Sequence, residues 1–198
     1  MRCTLYTTPG SNELPFCAAA PAKYEFYEGY DMLYLKEANY EDVVKEFLFV
    51  CDMPADENGL TNKWNGISFE DFKNKALKDM IAFSKEEHLP KGYVPETILF
   101  LWRDDEIAGQ FRIRHYLNES LRAGAGHIGY FIKKEFRNQG YGTEGLRQAL
   151  QAARTLIPED EIYLQVNKDN PASLKVMLHN GGYIKYEDES TYHVRIKK

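Results

Sequence analysis

Apolar and polar positions follow two rhythms along this chain. Residues 32–38 read as a strand, and 97–102 and 107–115 are two more strand-like runs joined by the turn Arg103, Asp104, Asp105, Glu106, which would lay them antiparallel. Ile128, Tyr130 and Ile132 alternate with His127, Gly129 and Phe131 in a fourth strand. Residues 161–166 make a fifth, and 183–187 with 192–197 form a terminal hairpin. Between these runs the spacing turns helical. After Asn39, a capping residue, Val43, Val44, Phe47 and Leu48 form one apolar stripe. Ser68 and Asp71 make a capping box ahead of Phe72, Ala76, Met80 and Phe83 on one helical face. Leu146, Ala149, Leu150, Ala153 and Leu156 make a third stripe, and Asn170 with Pro171 starts a last helix. Residues 52–67, with Pro, Gly, Asn and acids around Trp64, and the link 116–126 read as loops.

Composition narrows the class. A chain of 198 residues with 43% hydrophobic and 14% aromatic content holds ample material for a core, and it is read as one domain over 32–198 preceded by an extension, 1–31. No apolar run reaches the ~20 residues that span a bilayer, and the first 31 residues lack the continuous apolar segment of a secretory signal. Cys3, Cys17 and Cys51 show no metal-binding spacing, so a reduced cytoplasmic setting and no metal are expected. The net charge of −5 divides unevenly: residues 1–106 carry 11 Lys and Arg against 20 Asp and Glu, a net of −9, and residues 107–198 carry 14 against 10, a net of +4. A polyanion would be drawn to the second half and a cationic amine to the first.

The densest chemistry lies in residues 126–156, where a strand, a glycine-bearing turn and a helix follow one another. Gly140 and Gly142 stand where the helix begins, so first-turn N–H groups without internal partners can approach a ligand closely. Free amides and the positive end of the helix dipole favour phosphate, and Lys133, Lys134 and Arg137 add charge beside them.

Arg137, Gly140 and Gly142, in the order R/Q-x-x-G-x-G/A between strand and helix, resemble the acetyl-CoA pyrophosphate motif of the GNAT superfamily of acetyltransferases. Asn167, Asn170 and Ser173, then 181–183 as Gly-Gly-Tyr, resemble that superfamily's second cofactor segment, and RIRHYLN, GHIGY and NGGY together resemble a branch of predicted bacterial members. The resemblance spans roughly residues 32–198. It implies an α/β (α+β) fold with a mixed, mostly antiparallel central sheet flanked by helices on both faces. It further implies transfer of an acetyl group from acetyl-CoA, as cosubstrate, to a primary amine in a ternary complex. The cofactor-binding residues it points to are Phe131, Ile132, Arg137, Asn138, Gln139, Gly140, Tyr141, Gly142, Thr143, Asn167, Asn170 and Ser173. The acceptor side is expected between the first two helices, with Trp64, Asp52, Asp56 and Glu57 as candidate lining.

The chemistry needs a neutral amine, a stabilised carbonyl oxygen and a tolerated thiolate. Strand amides around Phe131 and Ile132 answer the second need if that edge splays from its neighbour. His127, ten residues before Arg137, is the first candidate base, with Glu96, His115 and Glu119 behind it. The position four after Ser173, where many members carry a proton-donating tyrosine, is Met177; Tyr183 or Tyr130 would have to substitute. The expected acceptor is a small molecule or peptide bearing an amine, with no nucleic acid or membrane partner and with a homodimer admissible. Two other classes stay open: a non-catalytic acetyl-CoA sensor, and a dinucleotide fold, since residues 140–145 also read as G-x-G-x-x-G. Against the latter, seven residues separate the strand from the first glycine.

Overall fold

The computed structural model describes residues 32–198; the N-terminal extension, with Cys3 and Cys17, lies outside the described residues. Along the chain come β1 (Leu33–Glu37), α1 (Val43–Asp52), a short hairpin of β2 (Asp56–Glu57) and β3 (Leu60–Thr61), and α2 (Phe69–Asp71). A π-helical turn, Phe72–Ala76, links α2 to α3 (Leu77–Ser84). Then follow β4 (Glu96–Arg103), β5 (Glu106–Arg114), α4 (Glu119–Ala123), β6 (Ile128–Ile132), α5 (Tyr141–Leu156), β7 (Glu161–Asn167), α6 (Pro171–His179), β8 (Tyr183–Glu187) and β9 (Thr191–Lys197).

Two antiparallel ladders make the sheet, one in the order β1-β4-β5-β6 and one in the order β7-β9-β8. Strand alternation gives the first ladder two apolar faces. Leu99, Leu101, Phe111, Ile113 and Ile128 meet Leu146, Ala149, Leu150 and Ala153 of α5 on one face, and this core runs on into Ile162, Leu164 and Val194 of the second ladder. Ile98, Phe100, Trp102 and Phe131 meet Phe49 and Val50 of α1 and Phe72, Leu77 and Met80 on the other. The result is the expected α/β arrangement, a central antiparallel sheet with helices on both faces. No helix among the described residues is long and apolar enough to cross a membrane.

Most local expectations hold for stated reasons. Ser68 caps its helix by accepting from Asp71 N, and Phe72, Ala76, Met80 and Phe83 are buried together. Asn170 caps α6 by accepting from Ser173 N, with Pro171 at its first position. The expected stripe on α1 is corrected: Val44 and Leu48 are 56% and 59% exposed, and the buried face carries Glu46, Phe49 and Val50. A carboxylate interrupts the apolar period there. Glu46 is fully buried, its Oε1 accepts from Asn39 N at 3.0 Å, and its Oε2 has no partner, so burial pushes the carboxyl up to about 8. Asn39 does not cap α1 itself. It accepts from the amides of Glu41 and Asp42 and so shapes the turn that feeds the helix. The two stretches read as loops also hold short elements, the β2–β3 hairpin and α4.

Candidate functional site

The two ladders meet where β6 begins and then part. His127 N donates to Tyr163 O at 2.7 Å, and Tyr163 N donates back to His127 Nδ1 at 2.9 Å, closing one end of a wedge between β6 and β7. Gly126, at φ +65°, lies so near β7 that a Cβ there would sit 2.4 Å from Tyr163 O. Beyond this point β6 pairs only with β5 and β7 only with β9. His127 is fully buried, with Nε2 facing Glu159 Oε2 at 3.3 Å and Glu159 held in turn by Arg122. Because Nδ1 accepts a backbone N–H, the imidazole proton sits on Nε2. Burial lowers this imidazole to about 4, against the raising effect of Glu159. The residue expected as base therefore has neither an exposed edge nor a spare lone pair for a substrate proton.

The opened edge of β6 carries the polar groups that matter. Lys133 N donates to Ala108 O, which fixes the alternation of the ladder: the amide of Phe131 turns toward β5, and those of Tyr130 and Ile132 turn outward into the wedge. Ile132 O, outward by the same rule, accepts from Arg137 Nε at 2.8 Å. The Phe131 side chain packs into the α1-side core against Phe49. Of the two strand residues expected to supply amides, Ile132 offers one to the wedge and Phe131 shapes its wall.

The turn into α5 sits at the mouth of this wedge. Asn138 and Gly140 both take left-handed backbone, φ +62° and +84°, and a Cβ on Gly140 would touch nothing within 4 Å. The first bond inside α5 is Glu144 N to Gly140 O, so the amides of Gly142 and Thr143 have no acceptor within the helix. A Cβ on Gly142 would lie 3.6 Å from Ile132 Cγ1, which brings the helix start alongside the outward edge of β6. Tyr141 is buried and stacks on Phe136, anchoring the turn from below. Gln139 folds back on Glu135 O, and Thr143 O accepts from Asn180, the residue just past α6. Free first-turn amides with no side chain over Gly140 suit an oxyanion.

On the α5 side, the start of α6 reaches across the wedge. Tyr130 Oη and Ser173 Oγ are 2.7 Å apart, and the phenol, half-buried and stacked on Phe111, is pushed by desolvation up to about 12. Asn170 spends its side chain on the helix cap, and Asn167 ends β7. Met177 lies in the core, and Tyr183 Oη donates to Glu161. Of the two tyrosines expected as substitutes, Tyr130 lies at the wedge.

On the other side the β2–β3 hairpin covers the opening. Its tip brings Gly59 beside the Asn167 side chain and Leu60 over Gly129, where a Cβ would lie 3.4 Å from Leu60 Cδ1. Glu57 holds Arg137 through two hydrogen bonds of 2.9 and 3.0 Å, and the guanidinium keeps the Glu57 carboxyl below its ordinary range. Among the acids expected as lining, Asp52 pairs with Lys133 at 3.4 Å and Asp56 is exposed on the hairpin. Trp64 packs at the edge of the α1-side core with Lys63 Nζ 4.7 Å from its ring centre. Glu96 lies 3.6 Å from Arg112, His115 is buried against Thr97, and Glu119 is the first residue of α4. Sequence reasoning missed the Glu57–Arg137 pair, because 80 residues separate its partners and no local spacing signals it.

Comparison with known proteins agrees with this geometry. The family profile of the acetyltransferase (GNAT) domain matches residues 41–182. No curated protein matches the sequence. Among solved structures, the chain is similar to a ribosomal-protein-S5-alanine acetyltransferase from Vibrio fischeri, with a TM-score of 0.62, 14% identity, and coverage of 85% of this chain and 94% of the other. It is also similar to a GNAT-family acetyltransferase from Streptococcus pneumoniae, with a TM-score of 0.57, 17% identity, and coverage of 84% and 100%. The N-acetyltransferase PseH of Campylobacter jejuni, solved with acetyl coenzyme A, gives a TM-score of 0.52, 19% identity, and coverage of 84% and 99%. At these identities the structures establish a shared fold.

Proposed function

The chain belongs to the GNAT acetyltransferase family, and from that premise we propose that it moves the acetyl group of acetyl-CoA to a primary amine by direct attack in a ternary complex. The observation that carries this reading is the wedge itself, an opened strand edge whose outward amides lie beside an uncapped helix start. The amides of Gly142 and Thr143, with the dipole of α5, suit a diphosphate, and the space at Gly140 admits it without a side chain in the way. The thioester arm fits between β6 and β7, where the amides of Tyr130 and Ile132 stabilise the carbonyl oxygen as it gains charge. Tyr130, protonated throughout the neutral range and paired with Ser173, faces the leaving sulfur and donates to the thiolate as the C–S bond breaks. His127 acts by position, as the clamp that fixes where the wedge begins. The incoming amine loses its proton to solvent within the cleft.

Release of free thiol from acetyl-CoA by the full chain, across a panel of amines, tests this directly. Turnover with at least one amine is expected, and Tyr130→Phe should lower kcat about 10- to 100-fold with little change in the KM for acetyl-CoA. A folded protein that releases no thiol above the uncatalysed rate with any amine, acids and peptides included, overturns the reading.

A further inference from the structure

Resting on that reading, we propose that the acceptor carries a carboxylate within a few bonds of its amine, and that Arg112, backed by Arg114, receives it. The register places the group: Ile98, Arg112 and Gly129 lie opposite one another on β4, β5 and β6, all facing the α1 side. Gly129 presents no side chain there, and Leu60 of the hairpin bounds the space above it. Arg112 therefore leaves the sheet about 5 Å, one strand spacing, from the β6 segment whose edge amides face the thioester. The cofactor site lies at the start of α5, on the opposite face, so the α1 side is where an acceptor arrives.

The charges in this patch do not balance. Arg112 and Arg114 stand two apart on one strand face, and Glu96 is the carboxylate beside them. The approach of Arg112 Nε to Glu96 is 3.6 Å, an ion pair longer than a hydrogen bond, and this buried Nε has no hydrogen-bond partner. Arg114 donates from Nη1 to Gly126 O at 3.0 Å, which spends one of five guanidinium donors. The Arg112 and Glu96 side chains are only 22% and 16% exposed, so the excess positive charge is partly stripped of water. A planar oxyanion meets unspent, fork-shaped donors here, and a polyamine meets charge of its own sign. Two of the acids on this side are engaged elsewhere, Glu57 with Arg137 and Asp52 with Lys133, and Asp56 lies exposed on the hairpin.

The test compares each acceptor with its amide. Free amino acids, their carboxamides, C-terminally amidated peptides beginning with Asp or Glu, and spermidine are assayed for acetyl-CoA-dependent thiol release, with CoA affinity measured in parallel by calorimetry. The expected result is a 10- to 100-fold higher kcat/KM for a carboxylate-bearing amine than for its amide, the size expected of a charge-assisted hydrogen-bond pair. Arg112→Gln should bring the acid down to the amide's rate and leave the CoA affinity in place, and Arg112→Lys should restore part of the difference. Activity on free acids or on acidic-tipped peptides tells the two sources of carboxylate apart. Equal rates for acid and amide, preference for spermidine, an equal loss on all acceptors in Arg112→Gln, or CoA binding without acetylation of any carboxylate-bearing amine overturns the proposal. If Arg112→Gln does not fold, the acid–amide comparison on the unmodified protein decides. Failure of the folded protein to bind CoA would instead remove the acetyl-transfer reading beneath it.

Discussion

The two sides of the wedge between β6 and β7 are built in opposite ways. The proposed cofactor side comes from one unbroken run, β6 through the start of α5, completed by the first turn of α6, and most of its groups are main-chain amides. The proposed acceptor side is assembled from Leu60, Glu96, Arg112 and Gly129, which only tertiary folding and sheet register bring together. A backbone oxyanion site needs local conformation alone, so it leaves a compact trace in sequence. A side-chain site drawn from four separated segments leaves none, and its chemistry shows only when opposite residues are paired across strands.

The largest expected effect tests which glycines of the α5 turn belong to which task. A Cβ at Gly145 would lie 2.5 Å from the Phe111 ring, so Gly145→Val should cost about 3 kcal/mol or abolish cooperative unfolding in a urea titration. Gly140→Ala meets no neighbour and pays only for its left-handed backbone, about 1 kcal/mol. Equal stabilities for the two variants would break the division between a packing glycine and a ligand-facing one.

A second prediction concerns the buried carboxyl of α1. The folded state holds the proton of Glu46 up to about pH 8, whereas the unfolded chain releases it near the ordinary glutamate value. Folded protein thus binds more protons between these limits, and stability must fall as pH rises from about 4.5 to 8. For His127 the sign is reversed. Its folded value of about 4 lies below the ordinary one, so its contribution is lost as pH falls from about 6.5 to 4. Thermal melts of the native chain should therefore peak in mildly acidic solution, and Glu46→Gln should flatten the alkaline limb. An unchanged alkaline slope in that variant would contradict the assignment.

The smallest effect joins the two sides. Glu57, from the β2–β3 hairpin, occupies the guanidinium of Arg137 ahead of the turn into α5. Glu57→Gln should free that charge and tighten CoA about three- to tenfold at low salt, with the gain shrinking as salt rises. Weaker CoA binding in this variant would mean that the pair orders the turn more than it competes with phosphate.

Legibility followed the same divide. The strand alternation, the caps at Ser68 and Asn170, and the α5 stripe were readable because each depends on neighbours two to four positions away. The α1 stripe was not, because buried Glu46 breaks its apolar period while Val44 and Leu48 face outward. His127 carried the right chemistry for a base, yet its lone pair is taken by the amide of Tyr163, a contact that depends on how two ladders meet. The Tyr130–Ser173 contact spans 43 residues and could be suspected only once Met177 was seen to lack a proton to give.

The most direct measurement is a calorimetric titration of CoA into the full chain and into Gly142→Val, each first shown by circular dichroism to be folded. A Cβ at Gly142 meets only ordinary contacts, 3.5 Å from Val176 and 3.6 Å from Ile132, so the variant should fold while its added methyl groups crowd the first-turn amides of α5. Micromolar binding by the native chain, on the order of −8 kcal/mol, and at least thirtyfold weaker binding by Gly142→Val are predicted. No heat of association with the native chain, or equal affinity in the two proteins, would contradict the claim that main-chain amides at the start of α5 hold the cosubstrate.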